Sequence, residues 1–309
     1  MRPPLVAALV ALSLGAGVAV ALASGGGDGG PGGAASGGRT AAAPRVAGTA
    51  TRRATPPAPD APLPGGPRAL AARLTAADAG ARRAAAAWRD RDAPPPADLT
   101  AWALDLQRGL RFLALRPRLE RATRRELRPA LARLTRDVTA AQRDLRRLAA
   151  GWPAHEVRVG PAEPLAVLER HYATARARFG VGRHVLAAVN LVESDFGRLR
   201  NASVSGAQGP MQFMPATWEA YGLGGDVRDP RDAILGAANY LAQSGAPGSY
   251  RRALYAYNPS PLYVDAVLRY ARLIARDPAA LPLLYGFQVY AGGRRLTGPG
   301  VAAARHASG

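Results

Sequence analysis

Glu193 is the residue whose setting in the sequence most clearly indicates chemistry. Together with Leu186, Val189 and Phe196 it follows the three- and four-residue spacing of one helix face, and its three companions are apolar. Burial among apolar side chains penalises the charged form of a carboxyl group, so we expect a raised pKa. Gly197 is predicted to end the helix, and the negative end of the helix dipole raises the pKa further. A glutamic acid that is protonated near neutral pH suits general-acid cleavage of a glycosidic bond.

The spacing alone leaves the surroundings of Glu193 open. The side chain could also turn outward or pair with Arg198 or Arg200, which would make its role structural. Asp195 projects from a different helix face, and the spacing places no second carboxylate opposite Glu193. Glycoside hydrolysis by two carboxylates needs a nucleophile or base as the partner of the acid. If there is none, the attacking group must come from the substrate.

Several other chemistries are excluded by the composition. Cysteine and lysine are absent, which removes thiolate nucleophiles, thiolate zinc ligands, disulfides and a Walker lysine. His155 and Glu156 lack the second histidine of a metalloprotease helix motif, and the four histidines show no metal-ligand spacing. The sequence also contains no G-x-S-x-G motif. We therefore expect neither a metal site nor a cofactor.

The net charge of the chain is strongly positive, at +19, and all 41 basic residues are arginine. Such a protein is expected to associate with polyanions, among which anionic wall polymers are a candidate. Nucleic acid is not an expected partner, because no basic run alternates with stacking aromatic residues and no nucleic-acid-binding motif occurs.

The N-terminal sequence predicts export. Arg2 precedes an apolar run, residues 5–23, which ends in the small-residue pattern Ala-Leu-Ala. Residues 1–23 are therefore predicted to be a signal peptide or a retained signal anchor, which would be the only contact with the membrane. Residues 24–67 are rich in Gly, Ala and Pro and are predicted to form a disordered tether. The rest of the chain is expected outside the cell, either secreted into the cell wall or tethered there.

The remaining pattern predicts an all-α fold. Residues 68–150 carry a heptad-like apolar seam that is interrupted by prolines, so we expect two or three helices folded back on each other. This helical hairpin or bundle would serve as a spacer or packing partner, or as a binding module. Residues 151–164 break the pattern and are predicted to link it to short amphipathic helices in 165–280. Residues 281–309 form a C-terminal extension that begins with strand-like composition.

Four segments of the 165–280 region resemble one known family, the soluble lytic transglycosylases (SLT) of the goose-type lysozyme superfamily. The family motifs E-S-x-[FY]-G, G-x-x-G-x-M-Q-[LF]-[ML]-P-x-[ST], A-x-x-Y-L and the start of A-Y-N-[AG]-G are matched at 193–197, 206–217, 237–241 and 256–258. The chain departs from the last motif at Pro259 and Ser260. Because proline has no backbone N–H, a backbone contact to substrate at that position is not expected.

The resemblance implies a lysozyme-like helical fold with a cleft that binds the glycan strands of peptidoglycan. It implies cleavage of the MurNAc-β-1,4-GlcNAc bond to give 1,6-anhydromuramoyl ends, with Glu193 as the single acid and base. It also implies substrate-binding roles for five residues, namely Ser194, Met211, Gln212, Tyr257 and Asn258. We further expect the hydroxyl of Tyr257 to form a hydrogen bond with Glu193.

Two other functions fit the same segments. One is a hydrolytic muramidase of the same fold, in which Asp226 or Asp229 is the base that activates water. The other is a non-catalytic cell-wall-binding protein that kept the fold without the activity. The intact pair of Glu193 and Ser194 argues against the binding protein.

Overall fold

The computed structural model describes residues 54–150 and 157–301, and the fold of this part of the chain is all-α, as predicted. It contains a short antiparallel hairpin in addition to the helices, with Tyr290 paired to Arg295 and Ala291 to Arg294. The elements in chain order are α1 Pro67–Ala87, α2 Ala97–Ala114, α3 Pro117–Arg125, α4 Pro129–Ala149, α5 Leu165–Phe179, α6 Arg183–Ser194, α7 Pro215–Tyr221, α8 Pro230–Gln243, α9 Tyr250–Tyr257, α10 Pro261–Arg276, α11 Ala280–Tyr285, β1 Tyr290–Ala291 and β2 Arg294–Arg295.

The region 68–150, predicted to hold two or three helices, holds four. Prolines at positions 67, 117 and 129 lie in the first turns of α1, α3 and α4, where a missing N–H costs no helical hydrogen bond. Helices α1 and α2 approach closely at Gly80, where a Cβ atom would come within 2.3 Å of the ring of Trp102. The prolines therefore divide the apolar seam, and a glycine lets two of the helices pack side by side.

The predicted boundary at 151–164 does not separate two hydrophobic cores. Helix α4 packs along α10, and buried residues of both helices belong to one continuous apolar core, with Val138 and Leu145 from α4 and Val267 and Ala271 from α10. The side-chain amide of Gln107 in α2 also donates to the carbonyl of Gln288 at 2.8 Å. The helices α1–α4 therefore support the C-terminal helices directly.

The predicted signal segment 1–23 and residues 24–53 of the predicted tether lie outside the described residues. Residues 54–66 form neither helix nor strand, and Asp60 accepts a 3.4 Å hydrogen bond from Arg295. At the other end, residues 280–285 form helix α11, although their composition favours a strand, because in a helix Leu283 and Leu284 are both buried in the core. None of the described helices is long and apolar enough to cross a membrane.

Candidate active site

Glu193 lies in the last turn of α6, a helix that is buried from Val185 to its end at Ser194. The helix stops because Asp195 and Phe196 adopt left-handed backbone conformations, with φ of 52° and 61°, and Gly197 continues the turn at 81°. The helix therefore ends at Ser194, three residues before Gly197, the residue that was predicted to end it. Only 3% of Glu193 is exposed, so its carboxyl group is held among the buried residues of the core.

The environment of Glu193 makes it an acid that keeps its proton at neutral pH. Burial raises the pKa of its carboxyl group from 4.5 to about 8. The phenol of Tyr263 donates a 2.6 Å hydrogen bond to Oε1, which opposes the shift by stabilising the charged form. Within the described residues Oε2 has no hydrogen-bond partner, so this oxygen is the one that can carry the proton to a ligand.

The two structural alternatives for Glu193 are excluded by its contacts. Arg198 lies 3.6 Å from the carboxylate of Asp195 and donates to the carbonyl of Tyr285 at 2.8 Å. Arg200 donates to the carbonyl of Pro161. Glu193 therefore neither turns outward nor pairs with a neighbouring arginine.

The hydroxyl that donates a hydrogen bond to Glu193 is that of Tyr263, and the prediction that the hydroxyl of Tyr257 does so is wrong. The phenol of Tyr257 donates to the carbonyl of Met211 at 2.6 Å instead. Tyr263 is the third residue of α10 and lies 70 residues beyond Glu193 in the sequence. No local spacing connects the two positions, so the sequence analysis missed Tyr263.

The side chain of Ser194 links the end of α6 to the loop that contains Pro210. Its fully buried hydroxyl accepts a 2.8 Å hydrogen bond from the N–H of Gly197 and donates a 2.5 Å bond to the carbonyl of Pro210. The side chain of Asn190 donates to the same carbonyl at 2.9 Å. All hydrogen bonds of the Ser194 hydroxyl are made within the protein, so the geometry gives it a positioning role, and its contact with substrate stays a prediction.

The loop that Ser194 holds contains Gln212, whose backbone lies in the left-handed region with φ of 49°. Its side-chain Nε2 donates to the carbonyl of Gly209 at 2.9 Å, while its buried Oε1 has no partner among the described residues. Gly209 is required here, because a Cβ atom would come within 1.8 Å of the carbonyl oxygen of Val227. The loop thus presents a fixed, unused hydrogen-bond acceptor that suits an N–H donor of a ligand.

Aromatic rings support this loop from α8 and α9. Tyr257 packs edge-on to Phe213 at 5.9 Å between ring centroids, and Tyr240 lies 5.4 Å from Tyr257. Met211 is fully buried, and Asn258, which ends α9, is 2% exposed. For Met211, Tyr257 and Asn258 the structure shows contacts within the protein, and their contacts with substrate stay predictions.

The two aspartates considered as a hydrolytic base are both engaged in local structure. Asp229 caps α8 by accepting a 2.9 Å hydrogen bond from the N–H of Asp232. Asp226 accepts the N–H of Arg228 at 2.9 Å. Both residues are exposed in the turn before α8. The raised pKa of Glu193 comes from burial, and neither aspartate is among its causes. In the parts of the chain that the structure describes, no group of three or more acidic or histidine side chains could hold a metal ion.

Comparison with known families agrees with this geometry. Residues 171–275 match the family model of the Transglycosylase SLT domain. This part of the chain is therefore an SLT domain, and the resemblance in the sequence is confirmed; the match includes both Glu193 and Tyr263. Members of the family are transglycosylases, which supports an enzymatic function. No curated protein and no solved structure matches the chain.

Proposed function

We propose that this protein is a peptidoglycan lytic transglycosylase that cleaves the MurNAc-β-1,4-GlcNAc bond. The observation that carries the proposal is the carboxyl group of Glu193, whose pKa of about 8 keeps it protonated at neutral pH while Tyr263 binds one of its oxygens. A buried glutamic acid in an SLT domain is suited to donate a proton to a glycosidic oxygen. On the basis of the N-terminal segment, we place this activity outside the cytoplasm.

In the first step Glu193 acts as the general acid. Its Oε2 proton passes to the oxygen between the two sugars, and the bond from that oxygen to the anomeric carbon of the muramoyl residue breaks. The N-acetylglucosamine side leaves as an alcohol, and the anomeric carbon becomes electron-poor. The new carboxylate of Glu193 is stabilised by the hydrogen bond from Tyr263, which favours the charged form.

In the second step the same carboxylate acts as the base. The 6-hydroxyl of the muramoyl residue attacks its own anomeric carbon, and its proton returns to Glu193. A 1,6-anhydro ring forms, no water is consumed, and the acid is restored. This scheme needs no second carboxylate, which agrees with the roles of Asp226 and Asp229 in local structure.

Binding of the glycan would use the polar atoms that the fold leaves unused. The Oε1 atom of Gln212 is buried and lacks a partner among the described residues, so it can accept the N–H of an N-acetyl group. Its position is fixed by the bond from its own Nε2 to Gly209 and by the link between Ser194 and Pro210. Gln212 is therefore the binding residue that we propose with the strongest support.

Analysis of the products by mass spectrometry tests the proposal. Wall digested with the full chain should yield muropeptides with anhydro ends, each lighter by one water than the hydrolysed product. Muropeptides with reducing ends would instead show a hydrolytic muramidase. A wall that is bound and left intact would show a non-catalytic binding protein.

A further inference from the structure

A cavity lies at the start of α6, at the opposite end of that helix from Glu193. Its volume is about 760 Å³, which is within the range of roughly 300 to 1,000 Å³ for sites that bind small molecules. Glu193 comes ten residues after Arg183, which lines the cavity, so the two residues are about 15 Å apart along the helix axis. None of the described residues that line the cavity belongs to the proposed glycan site. The cavity is therefore a separate feature of the fold.

The lining of the cavity carries an unbalanced positive charge. Arg91 lies 3.2 Å from the carboxylate of Glu169, so the charges of these two lining residues offset each other. Arg176 and Arg183 line the cavity as well, and neither forms an ion pair or a side-chain hydrogen bond with a described residue. Guanidinium groups bind phosphates and carboxylates through paired hydrogen bonds. Two such groups are available here to an anionic ligand.

A tyrosine adds a neutral donor to the two arginines. The hydroxyl oxygen of Tyr250 accepts the N–H of Gly182 at 2.9 Å, while the hydroxyl proton has no acceptor among the described residues. Burial and the nearby Arg176 lower the pKa of His184, so this lining residue is neutral at pH 7 and leaves the charge of the cavity unchanged. The cavity therefore offers two cations and one hydroxyl donor.

The last turn of α10 and the chain that follows it give the cavity an apolar wall. Four residues of this part line the cavity and keep some of their surface exposed, namely Ile274, Ala275, Pro278 and Leu281. No charged residue of the described lining comes from the same part of the chain. A polar carrier such as glycerol would leave this wall unmatched, whereas an alkyl chain would remove it from water.

The donors favour a phosphate over a carboxylate. A single guanidinium group can satisfy both oxygens of a carboxylate, whereas a phosphate ester has three free oxygens that accept hydrogen bonds. The two unpaired arginines come from different helices, Arg176 from α5 and Arg183 from α6, and both line the cavity with Tyr250. A phosphate can accept from all three side chains together.

We propose that this cavity is a second binding site, which takes a phosphate ester of an apolar alcohol. The phosphate would lie between Arg176 and Arg183, and the alkyl chain would lie against Ile274 and Leu281. The site is independent of the cleavage reaction, because its occupation requires neither Glu193 nor a glycan strand. It would hold the SLT domain at a lipid phosphate, either in a membrane surface or free in solution.

Three soluble probes separate the contributions of the phosphate and the chain. The full chain is titrated by calorimetry with hexyl phosphate, with glycerol phosphate, which has a polar carrier, and with heptanoate, which replaces the phosphate by a carboxylate. We expect hexyl phosphate to bind about tenfold more tightly than glycerol phosphate, as burial of about two methylene groups would give. Heptanoate should also bind more weakly than hexyl phosphate, because one guanidinium group satisfies its carboxylate.

Exposed positions of the cavity allow variants that leave the core intact. Arg176→Gln combined with Arg183→Gln should weaken the binding of hexyl phosphate about tenfold or more. Arg83→Gln combined with Arg125→Gln removes the same charge from exposed positions outside the cavity and should leave the affinity unchanged. Ala275→Glu adds a carboxylate to the lining and should also prevent binding, whereas Ala275→Gln should retain it.

Vesicles distinguish the two sources of the phosphate. Phosphatidylcholine vesicles with and without phosphatidic acid are sedimented with the full chain and with both arginine pairs. If the pair Arg176→Gln and Arg183→Gln loses more retention on phosphatidic acid than the pair Arg83→Gln and Arg125→Gln, the ligand is a membrane lipid. If both pairs are retained equally and hexyl phosphate still binds through the cavity, the ligand is a free lipid phosphate.

Three results of the titrations would overturn the proposal. Equal affinity for hexyl phosphate and glycerol phosphate would remove the role of the apolar wall and would point to a phosphate polymer of the cell wall. Equal affinity for hexyl phosphate and heptanoate would remove the preference for phosphate. Binding that survives both Ala275→Glu and the pair Arg176→Gln and Arg183→Gln would place the site elsewhere.

Discussion

The phenol of Tyr263 donates to Oε1 of Glu193 at 2.6 Å, from a residue 70 positions later in the chain. Two opposing effects therefore act on one carboxyl group. Burial favours its protonated form, and the tyrosine favours its charged form. An acid that must lose and then regain a proton in one turnover benefits from both, because neither state is too stable to leave.

Replacing Tyr263 by phenylalanine should slow the reaction and move its pH dependence. Without the hydrogen bond the carboxylate formed in the first step loses its donor, so kcat should fall on the order of 10- to 100-fold. The pKa of Glu193 should rise further, which moves the alkaline limb of the pH–rate profile to higher pH. Tyr270→Phe is a matched control on the same helix, because the hydroxyl of Tyr270 has no described partner. Tyr263→Phe with an unchanged rate and pH profile would refute this role.

The rate of cleavage should fall as the pH rises through about 8, where Glu193 loses its proton. Below that pH the acid is protonated, and the rate set by this group should be level. The measurement is the initial rate of muropeptide release from pH 5 to 10. A rate that increases through pH 8 would mean that Glu193 is needed as a base at the start of the reaction.

Glu193→Gln should stabilise the fold at alkaline pH. The pKa of Glu193 is higher in the folded protein than its ordinary 4.5, so its contribution to stability is present below that pH and is lost as the pH rises through about 8. The glutamine does not titrate, so Glu193→Gln should gain a few kcal/mol in free energy of unfolding relative to the parent at pH 8 and nothing near pH 4. Thermal denaturation at both pH values measures it, with the exposed Glu219→Gln as the control. The idea fails if the difference between Glu193→Gln and the parent does not change with pH.

The helices α1–α4 should unfold together with the SLT domain. Leu145 on α4 is fully buried in the core that includes α10, so Leu145→Ala should cost about 2 to 5 kcal/mol and lower the temperature at which cleavage is lost. Leu115→Ala removes a side chain that is 51% exposed and should have little effect. Circular dichroism and residual activity should report one transition. Activity that survives the melting of α1–α4 would show that these helices are an independent module.

Local patterns predicted much of the site and little of its partners. The apolar spacing around Glu193 placed it on a buried face, and the sequence Asp229-Pro230 gave the start of α8, because both depend on neighbours a few residues away. The pairing of Glu193 with Tyr263 depends on how α6 and α10 pack. No spacing in the sequence encodes it.

The backbone around the acid and the role of the first helices were also beyond local reasoning. Asp195 and Phe196 take left-handed conformations, which are uncommon for residues other than glycine, and the turn is held by the bonds from Ser194 to Gly197 and Pro210. The heptad seam of α4 predicted a buried face without naming its partner, which is α10.

The assignment of Glu193 as the acid is tested most directly by wall solubilisation with Glu193→Gln beside the unsubstituted chain. We predict that the variant releases muropeptides slower by about 10²- to 10⁴-fold while it still pellets with the wall, and that Glu219→Gln releases anhydro-ended products at the parent rate. Release by Glu193→Gln at the parent rate would contradict the account.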